Sequence, residues 1–225
     1  MDLKILSGGA MQGLMAEAVP LFERSGGCKV AVEIGLTSAL RKAIADGAVF
    51  DIALLPRPDI DALARDGRIA AASVANIARS AIGVAVRAGA PKPDISSVDA
   101  FKRAIMQASS VTYSDGPSGL YIAGLMGRLG LAEAIKSKTK LTTGPVAELL
   151  ARGEAELGLQ QIVAILPVKG ADLVGPLPSE LQNIIVYAAG TSAAAQQSAE
   201  AGDLIRFLAT PEVVRIIRAK GLEPG

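Results

Sequence analysis

Three stretches set hydroxyls and glycines where a strand gives way to a helix: Ser7-Gly8-Gly9-Ala10-Met11, Gly35-Leu36-Thr37-Ser38 and Asp115-Gly116-Pro117-Ser118-Gly119. The first turn of a helix carries N–H groups without intrahelical acceptors and a partial positive charge. Small residues let an anion approach those groups, so each stretch is a candidate cradle that needs no formal cation. Taken singly, Ser7, Thr37 and Ser118 could equally be ordinary helix caps. Their repetition at successive strand ends argues for one shared ligand, bound by Ser7, Gly8, Gly9, Ala10, Met11, Thr37, Ser38, Gly116, Ser118 and Gly119. Arg57 and Arg79 could each present a guanidinium fork to a carboxylate, and Gln160 and Gln161 would add neutral donors.

Proton transfer has fewer candidates. The chain has no His and a single Cys, Cys28, which removes the common zinc sites, Ser-His-Asp triads, Cys-His pairs and internal disulfides together. No metal site and no cofactor are expected. If the bound anion were isomerised, the base and acid would come from Tyr113, Asp115 or Glu33, and Tyr113 would need neighbouring positive charge to bring its pKa down. The structural alternatives are a packed strand-end phenol, an Asx turn and a solvent-facing carboxylate. Cys28, between Gly27 and Lys29, reads as a small half-buried hydrophobe.

The 225 residues suffice for two lobes of about 100 residues each. Composition is 50% hydrophobic and 20% charged, which is globular, and with 3% aromatics and no Trp the core must be built from Ala, Val, Ile and Leu. A formal charge of +1 without basic runs argues against nucleic acid. No apolar run reaches the ~18 residues of a membrane span, so no membrane insertion is expected. The chain opens directly on a strand. That makes it cytoplasmic if Met1 is the native start, or periplasmic if a leader has been removed.

Strand and helix patterns alternate. Leu3 to Leu6, Lys29 to Ile34 and Phe50 to Leu55 read as strands; the helices after them begin at Met11, Ala39 and Ile60. Ser80 to Arg87 reads as a long strand, followed by a helix that Ser97 caps and that runs to Gln107. Ser110 to Ser114, Lys140 to Thr143 and Glu156 to Leu159 are further strands, with helices over Leu120 to Leu129, Leu131 to Lys138 and Val146 to Arg152. Gln160 is expected to start a helical turn, and Asp172 to Val174 to precede a loop. Asn183 to Ala189 reads as a second long strand before helices over Ala193 to Ala209 and Pro211 to Lys220. Such βα repetition predicts an α/β fold of mostly parallel sheets. The two long strands are natural crossovers, near residues 79 to 84 and 183 to 189. They divide the chain into lobe 1 (1–80 with 188–225) and an inserted lobe 2 (81–187), with the ligand cleft between them.

The first turn, the stretch Gly158-Leu159-Gln160-Gln161, and the ending Phe207-Leu208-Ala209-Thr210-Pro211-Glu212 through Lys220-Gly221-Leu222-Glu223-Pro224 resemble the molybdate-binding-protein-like branch of the type II periplasmic binding proteins. The likeness spans nearly the whole chain. It implies a two-lobed fold that closes on a small anionic ligand, an oxyanion or a di- or tricarboxylate, with an ABC-transporter membrane component as partner. The branch also holds proteins similar to aconitate isomerase, so the same scaffold allows a cofactor-free isomerase of an unsaturated carboxylate. Where the molybdate binders resemble one another in a Ser-rich second turn and a late Tyr, this chain has Leu36-Thr37-Ser38 and Gln160-Gln161, which weighs against molybdate itself.

Overall fold

A computed structural model describes residues 2–225, and of Pro117 only the backbone. Met1, on which the expectation about the native start rests, lies outside the described residues. Two compact units emerge, one made of the residues up to Arg79 together with Ile185–Gly225, the other of Ser80–Ile184.

The first unit begins with β1 (Leu3–Gly8), α1 (Gln12–Arg24), β2 (Val30–Gly35), α2 (Thr37–Ala45), β3 (Ile52–Pro56), α3 (Arg57–Arg65) and β4 (Ala75–Ser80). Leu3, Ile5, Leu6, Ile52, Leu54 and Leu55 are fully buried, as apolar strands covered on both faces require. β1 pairs in parallel with β2 on one side and β3 on the other, so Ser7 lies beside Ile34 and Leu54. Helix α2 lays Leu40 and Ile44 onto this sheet beside Leu6, Phe50 and Leu55. Burying each such side chain contributes about 1.5–3 kcal/mol.

The second unit holds β5 (Ile82–Arg87), α4 (Val98–Gln107), β6 (Val111–Ser114), α5 (Pro117–Arg128), α6 (Ala132–Ile135), β7 (Thr139–Thr142), α7 (Val146–Ala151), β8 (Leu157–Gln161), α8 (Ile162–Ile165) and β9 (Ala171–Pro176). Its five-stranded sheet runs β7-β6-β8-β5-β9, parallel across β7, β6 and β8 and antiparallel where β5 meets β8 and β9. Gly158 permits close packing of α7: a Cβ there would meet Val146 at 2.6 Å and Leu150 at 2.9 Å. Phe101, Ile105, Ile122 and Met126 cover the other face. Gly130, at φ 71°, turns the chain left-handed after α5, a conformation other residues resist.

The chain then completes the first unit with β10 (Ile185–Thr191), α9 (Ser198–Phe207), α10 (Pro211–Ala219) and β11 (Glu223–Pro224), giving a six-stranded sheet in the order β11-β4-β10-β3-β1-β2. The fold is α/β with a parallel three-stranded core in each unit, as the repetition predicts.

Several boundaries differ from the sequence reading. The strand expected over Ser80 to Arg87 is two strands broken at Ala81, whose C=O accepts from Ile162 N–H. The second long strand starts two residues later, at Ile185. Gln160 and Gln161 end β8 instead of starting a helix, and Asp172 to Val174 lie inside β9, hydrogen-bonded along β5. Helix propensity is overridden at Ala193 to Ala195: Ser192 and Ala193 donate to Asp51 and Arg68 C=O, and the helix waits for Ser198. Leu131 to Lys138 is a short α-turn followed by a 3-10 turn.

Candidate anion site

In each unit the candidate residues gather at the carboxyl ends of parallel strands, where open α/β sheets bind ligands. In the first unit, Ser7 and Gly8 end the central strand β1, and Gly8 pairs in register with Gly35 at the end of β2. A Cβ on Gly8 would lie 3.6 Å from Thr37 Oγ1 and 3.8 Å from Leu54 C=O, so the first two turns are in contact and the absence of a side chain keeps the gap between them open. Gly9, Ala10 and Met11 form one 3-10 turn; Met11 sends its side chain into the core and leaves only backbone for a ligand.

None of the three hydroxyls caps a helix. The capping positions are Gly8, Leu36 and Gly116, and Thr37 and Ser118 lie one residue or two inside their helices. Ser7 is fully buried, and among the described residues its hydroxyl has only a long 3.4 Å contact to Gly8 C=O. Thr37 and Ser118 make no side-chain hydrogen bond among the described residues. Leu40 N–H and Leu120 N–H start the helical ladders by donating to Leu36 and Gly116 C=O. The N–H groups of Thr37, Ser38, Ser118 and Gly119 therefore precede the ladders and have no intrahelical acceptor.

In the second unit, β6 ends at Ser114, and α5 begins three residues later. A Cβ on Gly119 would sit 1.5 Å from Ser114 C=O, so the helix can pass over the strand end only with glycine there. Ser118 is 5% exposed and Ser114 7%. Ser114 is absent from the sequence-derived set although it is a strand-end hydroxyl like Ser7; the Asp-Gly-Pro-Ser-Gly turn drew attention past it. Asp115 is exposed and its N–H donates to Thr142 C=O, joining the turn to β7. Gln160 Oε1 accepts from Val146 N–H at 2.9 Å and so satisfies the start of α7, and its amide NH₂ has no acceptor among the described residues. Gln161 is half-buried at the end of β8.

The remaining candidates divide. Arg57 is held by Asp61, at 2.7 Å from Nε, and by Asn76, at 2.9 Å from its terminal nitrogen, so its fork is engaged on its own unit's surface. Arg79 is exposed on β4 opposite Glu223 and makes no side-chain hydrogen bond or ion pair among the described residues. Glu33 is ion-paired with Lys4 at 3.0 Å on the solvent side of β2. Burial pushes the Tyr113 phenol above its ordinary value, the opposite of what a base needs. Among the described residues no group of acidic or thiol side chains could hold a metal ion, and no helix is long and apolar enough to cross a membrane.

Comparison with known proteins agrees with this fold. The chain is 34% identical to an aconitate isomerase from Pseudomonas sp over 229 aligned positions, covering 99% of this chain and 87% of that protein. A substrate-binding domain from Clostridium difficile superposes with a TM-score of 0.84 at 15% identity, covering 100% of this chain and 99% of that one. The periplasmic molybdate-binding protein of Azotobacter vinelandii superposes with a TM-score of 0.78 at 19% identity, covering 99% of each chain. A family model described as bacterial extracellular solute-binding protein matches residues 3–223, and the chain belongs to that family.

Proposed function

We propose that this protein binds a small anionic solute, an oxyanion or a di- or tricarboxylate, through strand-end turns, and delivers it to an ABC-type transporter on the outer side of the membrane. The observation that carries this reading is that Ser7, Thr37 and Ser118 stand at strand ends beside acceptor-free helix N–H groups and cap nothing. Hydroxyls of that kind gain an acceptor when an anion arrives, and buried ones gain most. A tetrahedral oxyanion would be held by these groups alone. A carboxylate would in addition recruit Arg79, whose guanidinium has no partner among the described residues.

The 34% identity to an aconitate isomerase favours a second reading, isomerisation of an unsaturated carboxylate such as aconitate. It needs an acid and a base at the bound anion, drawn from Asp115, Tyr113 and Glu33. Glu33 is paired with Lys4 and Tyr113 has its pKa raised, which leaves Asp115 as the candidate carboxylate without a side-chain partner among the described residues. The test is a thermal-shift screen with molybdate, sulfate, citrate, cis-aconitate and trans-aconitate, followed by proton NMR of each stabilising compound with the protein in D₂O. Stabilisation without exchange or isomerisation supports the carrier; conversion of one aconitate isomer into the other supports the enzyme. No stabilisation by any anion would overturn both.

A further inference from the structure

We propose that the outer edge of β2 is a pairing surface for β2 of a second copy of this chain, and that Glu23 guards it. β2 is the last strand of the six-stranded sheet. Leu3 N–H donates to Lys29 C=O, so in the parallel register the backbone groups of Lys29, Ala31 and Glu33 face β1, and those of Val30, Val32 and Ile34 face outward. Val30, Val32 and Ile34 also line an apolar groove of 350 Å³ with Met15, Ala16 and Val19 of α1. An apolar edge with open backbone groups is a template for another strand.

Charge selects the occupant and the register. In an antiparallel pair centred on Ala31, Val30 stands opposite Val32 of the second copy, which uses the outward backbone groups, and Lys29 stands opposite its Glu33. Both side chains are exposed, at 73% and 53%. Within one copy Lys4 pairs with Glu33 at 3.0 Å and Lys29 with Glu23 at 2.9 Å. Across the seam the order becomes Lys4, Glu33, Lys29, alternating in sign and repeated by the twofold axis. A register centred on Val32 would instead set Lys29 against Gly35 and lose this match.

Glu23 closes the edge. Its Oε1 accepts from Val30 N–H at 2.9 Å, the place where Val32 C=O of a second copy would have to dock. Two acceptors cannot share that donor side, so pairing requires the carboxylate to leave. Sedimentation velocity on the full chain tests this. The unaltered protein is expected to be monomeric, while Glu23→Ala and Glu23→Leu, two replacements that cannot accept a hydrogen bond, should dimerise with a dissociation constant lowered by about tenfold or more. In the Glu23→Ala background, Lys29→Glu or Glu33→Lys alone should restore the monomer and the two together should restore the dimer, with far-UV circular dichroism showing each variant folded. Glu23 variants no more self-associating than the parent, a dimer indifferent to charge reversal, or a parent protein already dimeric through this edge would each overturn the proposal.

Discussion

Gln182 holds Ile82 by both of its backbone groups: its Oε1 accepts from Ile82 N–H at 2.8 Å and its Nε2 donates to Ile82 C=O at 3.0 Å. The side chain thus stands in for a strand neighbour at the first residue of β5, joining chain segments 100 positions apart. Removing it leaves the Ile82 N–H without its acceptor, while the Ile82 C=O keeps the Leu177 N–H at 3.0 Å. Gln182→Ala should lower unfolding free energy by about 1–3 kcal/mol, read by urea denaturation. Gln182→Glu, which keeps the acceptor and loses the donor, should fall between the two. Equal stability of all three would show that the clasp contributes nothing.

Gly119→Ala places a methyl at the carbonyl oxygen of Ser114, a backbone atom that cannot yield as a flexible side chain could. Destabilisation of at least about 3 kcal/mol is expected, the upper range for overpacking. Gly116→Ala, whose added Cβ meets only Ser114 Oγ at 3.7 Å, is the matched control and should cost far less. Similar urea midpoints for the two would contradict this close crossing of strand and helix.

The same crossing shows what was legible in the residue order. The Gly-rich turns and the strand patterns before them marked the strand ends of β1, β2 and β6, because small residues there answer to steric limits that are local. Ala75–Ser80 gave no such signal: its sequence Ala-Asn-Ile-Ala-Arg-Ser lacks β-branched residues except Ile77, and it is a strand because β10 and β11 flank it. Which residue caps is hidden for a related reason. Thr37 has the chemistry of a cap, but Leu36 takes the extended backbone at that place, and no short-range rule distinguishes the two. Arg57 is engaged both by Asp61, four positions on, and by Asn76, 19 positions away, and only the second contact is invisible locally.

Thr112 is fully buried in β6 and its hydroxyl has no partner among the described residues. A buried donor without an acceptor is a net cost, so Thr112→Val, which keeps the branched shape, should raise stability by about 1 kcal/mol. A loss of stability would mean that the hydroxyl is satisfied in solution.

For Tyr113 the sign follows from burial. An acid with a raised pKa in the folded state contributes stability below its unfolded pKa, ~10, and loses it as pH rises through the folded value. Absorbance titration should find a phenol component ionising above the ordinary value, and Tyr113→Phe should remove it. The variant should also bind anions normally, since a phenol harder to ionise is a poor base at neutral pH. Loss of isomerase turnover in Tyr113→Phe with binding retained would contradict this assignment.

The most direct measurement is isothermal titration of the best stabilising anion from the screen into Ser7→Ala, Ser118→Ala, Arg79→Ala and Arg79→Lys. Either serine variant should lose at least about tenfold in affinity, since a charge-assisted hydrogen bond is typically worth ~1.5–3 kcal/mol. For a carboxylate, Arg79→Ala should lose more than tenfold, at ~2–5 kcal/mol for a truncated charged contact, and Arg79→Lys should fail to rescue it because the two-point fork is gone. For a tetrahedral oxyanion the arginine variants should match the parent. Unchanged affinity in both serine variants would contradict the strand-end site, whatever the arginine variants do.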